Sequence, residues 1–391
     1  MALHDITAEI CCGCRACEQI CPKHCISMEK DFEGFYIPNL DSQECIECGL
    51  CEKVCPIRTK PTENTIDNIY AMQLKDETEL MKSSSGGAFR LIADFIIDNN
   101  GMVCSCAFDS SNKAVFRTAT SKDDLDDFQG SKYVQSDTGN AYSVIRDYLK
   151  KGKTVFFSGA PCQCAALLNF LGVPFDNLYT ADFLCHGMPS GWIFEEYIKY
   201  LEDKSKCKIS DIKFRDKSAR GWGLWFSYNQ VGDRYIKKVI RNASVDPYEY
   251  AFQNSMMNRL LCYKCPFQGK RYSDFTYADY WGVEKYHPEI AREKGVSIIC
   301  ANTVKANRLL LACRDKAQII ETSLSNAAEQ NESLIGKEER PIPVIRNTIY
   351  DDVKKYGWEN VRHKVLRYRR YWVNRVWYSL PHKIIRLIKK I

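Results

Sequence analysis

Cysteine is the residue type whose number and spacing point to chemistry. The chain has 20 cysteines among 391 residues, and half of them lie between Cys11 and Cys55. Two runs share one spacing: Cys11-x2-Cys14-x2-Cys17-x3-Cys21-Pro22 and Cys45-x2-Cys48-x2-Cys51-x3-Cys55-Pro56. The N-terminus lacks the pattern of a secretory signal, so we expect a cytoplasmic protein, in whose reducing surroundings clustered thiols usually hold metal. The runs therefore predict metal binding and not disulfides.

This spacing is typical of proteins with two [4Fe–4S] clusters, in which the fourth cysteine of each run ligates the other cluster. We assign two ligand sets: Cys11, Cys14, Cys17 and Cys55 for one cluster, and Cys45, Cys48, Cys51 and Cys21 for the second. Zinc sites usually pair two CxxC units or include histidine, which fits these matched runs poorly. Residues 1–60 thus resemble a dicluster ferredoxin. Two adjacent clusters indicate electron transfer.

Three runs in the body carry weaker signals when each is taken alone. Residues 83–89 (SSSGGAF) precede a predicted helix, where free amides could receive a phosphate or merely form a turn. Residues 129–136 (QGSKYVQS) combine a cation, a hydroxyl and a ring, but a loop is their default interpretation. Residues 158–164 (SGAPCQC) run from a strand into a helix N-terminus, where the dipole favours a thiolate at Cys162.

The other cysteines divide into two groups. Four of them together could ligate a third cluster: Cys162, Cys185, Cys262 and Cys265. Apart from Cys164, which is left open, the others are predicted to pack as small buried hydrophobes: Cys12, Cys25, Cys104, Cys106, Cys207, Cys300 and Cys313.

The pattern of the body predicts an α+β fold, with short β-rich runs alternating with longer helical ones in an α/β body. Strands are predicted at 102–108 and 154–158, and helices at 86–97, 139–150, 163–171 and 192–201. Four segments follow: a ferredoxin-type domain (1–60), two parts of the body (66–150 and 151–335, with a soft boundary near Gly152) and a basic helical tail (340–391). No run reaches the roughly 18 apolar residues of a membrane-spanning helix.

The tail carries the positive charge of the chain. Residues 353–391 have a net charge of +11, whereas the whole chain has +6, so residues 1–352 carry −5. Apolar residues recur at helical spacing: Val365, Tyr368, Trp372, Val376 and Leu380, then Ile384, Leu387, Ile388 and Ile391. Such a helix could lie on an anionic membrane at the inner face, dock a partner, or pack back on the acidic body. Nucleic-acid binding finds no support elsewhere in the sequence.

Six runs in order resemble the beta subunit of coenzyme F420-reducing hydrogenases and dehydrogenases, over residues 66–310. They are SSSGGAF, GSKYVQS, FSGAPCQCAAL, FLCHGMPS, FRDKSARGW and CYKCPFQGKRYSDFTYADYWGV. The resemblance implies an FAD-binding iron–sulfur flavoprotein. It implies flavin contacts at Ser85, Gly86, Gly87, Lys132 and Tyr133, and it places Cys162, Cys185, Cys262 and Cys265 at the family's cysteine positions. Cys164 departs from the family, which leaves open which cysteine of PCQC is a ligand.

The function expected from these features is that of an oxidoreductase. A flavin can connect one-electron clusters with a two-electron substrate, because it accepts and donates electrons either one or two at a time. The partners expected are a redox carrier, such as ferredoxin or a deazaflavin, and a partner redox subunit. Two alternatives are an electron-transfer subunit without its own substrate and a factor in surface-polysaccharide biosynthesis. His186 could donate a proton to a flavin or be structural; no catalytic residue is assigned.

Overall fold

A computed structural model describes residues 6–218, 220–337 and 339–380. Its strands are β1 (Ile26–Lys30), β2 (Tyr36–Leu40), β3 (Asn68–Leu74), β4 (Met102–Phe108), β5 (Ala114–Ala119), β6 (Val155–Gly159), β7 (Leu178–Phe183), β8 (Lys208–Lys213), β9 (Trp225–Val231), β10 (Ile236–Asn242), β11 (Phe275–Asp279), β12 (Ser297–Ala301) and β13 (Ala317–Glu321). Its α-helices are α1 (Ala16–Ile20), α2 (Leu50–Val54), α3 (Glu77–Lys82), α4 (Ala88–Asp98), α5 (Ala141–Lys150), α6 (Pro161–Leu171), α7 (Gly191–Ser205), α8 (Pro247–Gln253), α9 (Leu260–Tyr263), α10 (Val304–Ala312), α11 (Leu324–Ala328), α12 (Ile349–Val365) and α13 (Tyr371–Ser379).

An eight-stranded sheet organises the body, in the order β13-β3-β12-β11-β7-β6-β4-β5. Its four central strands, β11, β7, β6 and β4, are parallel, whereas the flanking strands pair antiparallel. Strands from both 66–150 and 151–335 enter this sheet, so the sheet continues across Gly152. Ligands bind outside the carboxyl ends of parallel strands. We therefore expect a ligand site at the edge of the sheet where β4, β6, β7 and β11 end.

Helices cover both faces of the large sheet because its central strands alternate their buried side chains. Val103 and Phe156 point to the face covered by α4 and α10. Cys104 and Phe157 point to the opposite face, which α5 and α6 cover. This period of two follows from strand geometry. The mixture of a helix-covered sheet with a separate antiparallel sheet (β10-β9-β8) confirms the predicted α+β class.

The predicted elements around the motifs match the structure closely. The strand predicted at 102–108 is β4, and the helices predicted at 139–150 and 163–171 are α5 and α6, which begin at Ala141 and Pro161. Pro161 is the first residue of α6, where its missing N–H is not needed. Cys162 therefore lies in the first turn of that helix, as the sequence predicts.

The tail is divided between packing and exposure. Trp358 and Val365 of α12 are buried against the body, and the Trp358 indole donates to the carbonyl of Ile193 (3.2 Å). Trp372 and Val376 of α13 are 68% and 62% exposed. The apolar row beyond Leu380, including Ile384, Leu387, Ile388 and Ile391, lies outside the described residues. Among the helices that the structure describes, none has the length and apolar character to cross a membrane.

Candidate functional site

The two cysteine runs fold as two copies of one turn. In each copy the fifth residue, Arg15 or Gly49, is left-handed (φ 61° and 70°), and a five-residue helix follows. The fourth cysteines, Cys21 and Cys55, end these helices in an extended conformation with ψ of 114° and 115°. This repeated turn directs each fourth cysteine away from the first three of its own run.

The fourth cysteines change places, as the interleaved assignment requires. One cavity, the inner cavity, encloses about 340 Å³ and is lined by five cysteines: Cys11, Cys12, Cys14, Cys17 and Cys55. The outer cavity encloses about 350 Å³ and is lined by five others: Cys21, Cys25, Cys45, Cys48 and Cys51. Each predicted ligand set therefore surrounds one cavity, with one additional cysteine beside it.

The inner cavity is fastened to the body by Arg259, for which the sequence predicted no role. Its guanidinium is buried and donates to the carbonyls of Cys11 and Tyr36 (Nη2 to Tyr36, 3.0 Å) and to the side chain of Gln135. The Thr138 hydroxyl also donates to the carbonyl of Cys14 (2.9 Å). These bonds hold the first cysteine run against the loop that follows β5.

A third cavity, the thiol cavity, collects the four body cysteines. Cys162 comes from the start of α6, Cys185 follows β7, and Cys262 and Cys265 lie in and just after α9. The cavity encloses about 860 Å³. Cys12 lines it as well, so this cysteine borders both the inner cavity and the thiol cavity. The sequence predicted only a packing role for Cys12, because nothing in its spacing linked it to residues 150 positions away.

Burial disfavours the negatively charged thiolate form of the cysteines in the thiol cavity. It raises the pKa of Cys185 to about 12 and that of Cys262 to about 11, and each is raised further by neighbouring thiols of the same cavity. A hydrogen bond with Cys12 and burial raise the pKa of Cys162. Metal ions displace thiol protons, so four half-buried thiols around one cavity are possible ligands of a metal group, and the third cluster stays a prediction. Asp182, another residue that sequence reasoning missed, lines the same cavity, and burial raises its pKa to about 6.

Cys164 takes a different position from Cys162. It is fully buried between α6 and the sheet, with its Sγ 3.4 Å from the carbonyl oxygen of Ala181. Cys104, Cys300 and Cys313 are buried in the cores as expected. Cys106 differs from that expectation, because its half-buried side chain lines a large cleft.

That cleft, the cofactor cleft, lies at the carboxyl edge of the parallel strands. Its floor includes Ser158 and Gly159 at the end of β6, Leu184 just after β7, and Asp279 at the end of β11. It holds about 1360 Å³ of empty space, open solvent included. His186 also lines it, and its role stays a prediction.

Two of the sequence motifs meet at the rim of this cleft. The Ser84 hydroxyl accepts hydrogen bonds from the backbone N–H and the hydroxyl of Ser131 (2.7 and 3.0 Å). The SSSGGAF and GSKYVQS runs therefore form one wall, although 47 residues separate these two serines. The N-terminus of α4 opens at this wall, because Gly87 and Ala88 line the cleft.

Four of the five predicted flavin contacts line the cleft: Ser85, Gly87, Lys132 and Tyr133. Gly86 instead lies against the sheet, where a Cβ would come within 2.0 Å of the carbonyl oxygen of Met72. The Gly86 N–H donates to the hydroxyl of Ser297 (2.9 Å). Gly86 thus allows the loop to approach the sheet closely and positions its neighbours.

Lys132 is occupied by its own loop. Its ammonium donates to the carbonyls of Asp127, Phe128 and Gln129 at 2.9, 3.0 and 3.0 Å, which uses all three N–H groups. Burial lowers its pKa to about 8. The side chain therefore shapes the rim, and its contact with a flavin stays a prediction.

Arg215, Asp279 and Trp281 complete the opposite wall, and no role was predicted for them. Arg215 Nη1 donates to Asp279 Oδ2 (2.6 Å) and to the Tyr133 hydroxyl (3.2 Å). Trp281 stacks on Trp222 with ring centroids 4.3 Å apart. The resemblance to the beta subunit could have pointed to these residues, because they lie in its FRDKSARGW and YADYWGV runs. The spacing within those runs, however, does not indicate which side chains line a cleft.

Comparisons with known proteins agree with these two regions. Residues 10–59 match the model of the 4Fe-4S dicluster domain. Residues 152–327 match the model for the C terminus of the coenzyme F420 hydrogenase/dehydrogenase beta subunit. The chain thus contains a 4Fe-4S dicluster domain at residues 10–59 and a segment, 152–327, related to the C terminus of those beta subunits. The resemblance of the N-terminal residues to a dicluster ferredoxin is thereby confirmed, and so is the resemblance to the beta subunit over the matched residues.

One solved structure shows a weak likeness to this chain. A chain in a solved structure of the F420-reducing [NiFe] hydrogenase complex from Methanosarcina barkeri is 12% identical, with 76% of this chain and 96% of that chain covered. The TM-score is 0.41, at which the likeness carries no argument about function. No curated protein matches. Within the described residues, no three or more His, Cys, Asp or Glu side chains are grouped so that they could hold a single metal ion; the predicted cysteine sets are instead spread around cavities.

Proposed function

We propose that this chain is an iron–sulfur flavoprotein oxidoreductase that passes electrons between two N-terminal clusters, a third cluster and an FAD. The observation that supports this most directly is the order of the cavities. Cys12 lines both the inner cavity and the thiol cavity. Phe183, Leu184 and Cys185 line both the thiol cavity and the cofactor cleft. Shared walls of this kind would bring successive redox groups side by side, as electron transfer requires, and this supports the proposal.

The residues of the cleft fit a flavin nucleotide. The N-terminus of α4, an 11-residue helix preceded by Gly87 with φ of +91°, opens into it and suits a phosphate. Aromatic side chains of Tyr133, Phe252 and Trp281 supply apolar surface for a ring system. An FAD would supply the exchange between one-electron and two-electron steps.

The chain's own side chains would hold and shield these groups. The two sets of four interleaved cysteines would ligate the N-terminal clusters, and Cys162, Cys185, Cys262 and Cys265 the third. Ser85 and Gly87 would receive the nucleotide at the helix N-terminus. The N–H of Gly13 donates to Cys11 Sγ (3.2 Å), and that of Glu47 to Cys45 Sγ (3.4 Å). Such bonds to sulfur adjust the potential of a cluster.

The test is anaerobic purification with quantitation of iron, zinc and flavin. Three clusters require about twelve iron atoms per chain and two require about eight. Cys185→Ser should lower the iron content by about four atoms, whereas Cys207→Ser, whose thiol lines none of these cavities, should leave it unchanged. Zinc in place of iron, or a wild-type chain that retains no flavin after reconstitution, would refute the proposal.

A partner surface is proposed at the tail. The apolar face formed by Trp372, Val373 and Val376 is 62–68% exposed, with Arg369, Arg370 and Arg375 beside it. This combination suits an anionic membrane surface or a redox partner. Co-sedimentation with vesicles that contain anionic lipid tests the membrane contact. Trp372→Ser should weaken this co-sedimentation, and neutral vesicles should not support it.

The substrate and the external carrier can be identified by assaying a panel of ferredoxins, deazaflavins and other two-electron acceptors.

A further inference from the structure

Arg215 presents an unused hydrogen-bond donor beside the cofactor cleft. The residue is 7% exposed and follows β8. Nε donates to the carbonyl of Gly223 (2.9 Å), and Nη1 donates to Asp279 and Tyr133. Nη2 is buried and has no hydrogen-bond partner among the described residues. Arg215 itself lines the cleft, so an occupant of the cleft would lie beside a buried guanidinium whose hydrogen bonds leave its positive charge incompletely compensated.

Other cations near the cleft have their donors engaged. Lys132 uses its three N–H groups on backbone carbonyls. The ammonium of Lys217 donates to the carbonyls of Ser85 and Lys294, at 2.8 Å each. Among the Lys and Arg side chains that line the cleft in the described part of the chain, Arg215 is therefore the one with an open N–H.

The guanidinium is held rigidly. The Asp279 carboxylate and the Gly223 carbonyl accept hydrogen bonds from two different nitrogens of the guanidinium. The guanidinium carbon lies 5.3 Å from the centre of the Trp281 ring. Trp281 is supported in turn by Trp222. A fixed arginine keeps its positive charge at all accessible pH values. Its direction is thus determined before any ligand enters.

We propose that Arg215 is a cofactor-binding residue whose fixed positive charge at the cleft wall favours the reduced, anionic flavin over the oxidised one. This inference rests on the proposed function. Reduction by two electrons and one proton leaves the flavin with one additional negative charge, and a nearby fixed cation stabilises that charge. Asp279, 2.6 Å from the same guanidinium, offsets part of this effect. The Arg215–Asp279 pair therefore sets the flavin reduction potential.

The experiment measures the flavin midpoint potential of the full, anaerobically loaded chain by spectroelectrochemistry. Arg215→Gln should weaken binding of reduced flavin about tenfold relative to oxidised flavin, since a fixed positive charge beside the anionic ring is lost. For a two-electron couple this tenfold change is a shift of about 30 mV to more negative potential. Asp279→Asn should shift the potential in the opposite direction. The double variant keeps a neutral hydrogen-bonding pair, and its flavin midpoint potential should lie between those of the two single variants.

A matched control removes an equal charge elsewhere. Arg117→Gln breaks an exposed ion pair with Asp127 (2.5 Å) and should leave the potential unchanged. Equal potentials in wild type, Arg215→Gln and Asp279→Asn, or shifts of one sign in both variants, would overturn the inference while bound flavin still supports the proposed function. If Arg215→Gln does not fold, Asp279→Asn retains the arginine, and its shift alone decides. A wild-type chain without flavin instead refutes the proposed function.

Discussion

The two cysteine runs have the same spacing and the same backbone but very different surroundings. Cys11 and Cys14 of the first run are buried. In the second run Cys48 is exposed, and the preceding Ile46 is 56% exposed. The first run is covered by the body through Arg259, whereas the second faces outward. One sequence pattern therefore produces an inner cysteine set that the body covers and an outer set that is partly open to solvent.

The left-handed positions show how the surroundings select the side chain. The third residue of each run has positive φ, at Gly13 (69°) and Glu47 (51°). A Cβ on Gly13 would come within 2.4 Å of the Gln135 amide nitrogen, whereas Glu47 lies on an exposed loop that has room for its side chain. The repeated turn demands a left-handed residue in both copies. Only the docked copy also demands the absence of a side chain.

The largest contrast is expected from loss of one ligand in each run. Cys14→Ser and Cys48→Ser should each remove one cluster, about four iron atoms. Both variants should abolish flavin reduction by an external carrier, because each breaks the proposed electron path. Only Cys14→Ser should also lower the melting temperature, because Cys14 packs among the helices α5 and α6. Cys48→Ser should leave the melting temperature of the body unchanged. Equal thermal destabilisation of both variants, measured by calorimetry, would contradict the comparison.

The next effect concerns the attachment of the inner run. Arg259→Ala removes donors from the carbonyls of Cys11 and Tyr36 and should lower the free energy of unfolding by about 3 kcal/mol. Lys53→Ala, an exposed change in the second run, should cost less than about 0.5 kcal/mol. Denaturant titration under anaerobic conditions measures both. A cost for Arg259→Ala no greater than that of its control would show that the clamp is unimportant.

A smaller effect is expected at the third residue of each run. Gly13→Ala should cost about 1–2 kcal/mol from the left-handed conformation alone, and it must also displace Gln135. Glu47→Ala already has a Cβ in the matching position and should stay within about 0.5 kcal/mol of wild type. The same denaturant titration compares them. Similar costs at the two positions would mean that docking does not distinguish the runs.

The smallest effect is expected on carrier exchange at the outer run. Ile46→Ser should slow second-order reduction by a ferredoxin about fivefold, corresponding to roughly 1 kcal/mol at an interface. Ile236→Ser alters a side chain that is 70% exposed on β10 and serves as the control. Stopped-flow measurements over a range of ferredoxin concentrations separate the two. Unchanged kinetics in Ile46→Ser would place the carrier elsewhere.

The N-terminal site was largely predictable because its chemistry is local. Cys11, Cys14 and Cys17 lie within seven residues, so their spacing alone predicts a shared metal group. The role of Cys12 was missed, since its neighbour Cys162 is 150 residues away. The Arg215–Asp279 pair was likewise hidden, because a charged pair between a loop after β8 and the end of β11 leaves no periodic signal.

The amino-acid sequence by itself determined the two cysteine turns, the sites of the helices beside them and the iron–sulfur character of the chain. Short-range spacing and backbone preferences suffice for these features. Only the tertiary structure decided which run is covered by the body, that Cys12 borders two cavities, and that Arg215 lines the cleft beside Asp279 and Tyr133. These features depend on strand order and helix packing, which bring together residues whose separation along the chain carries no pattern.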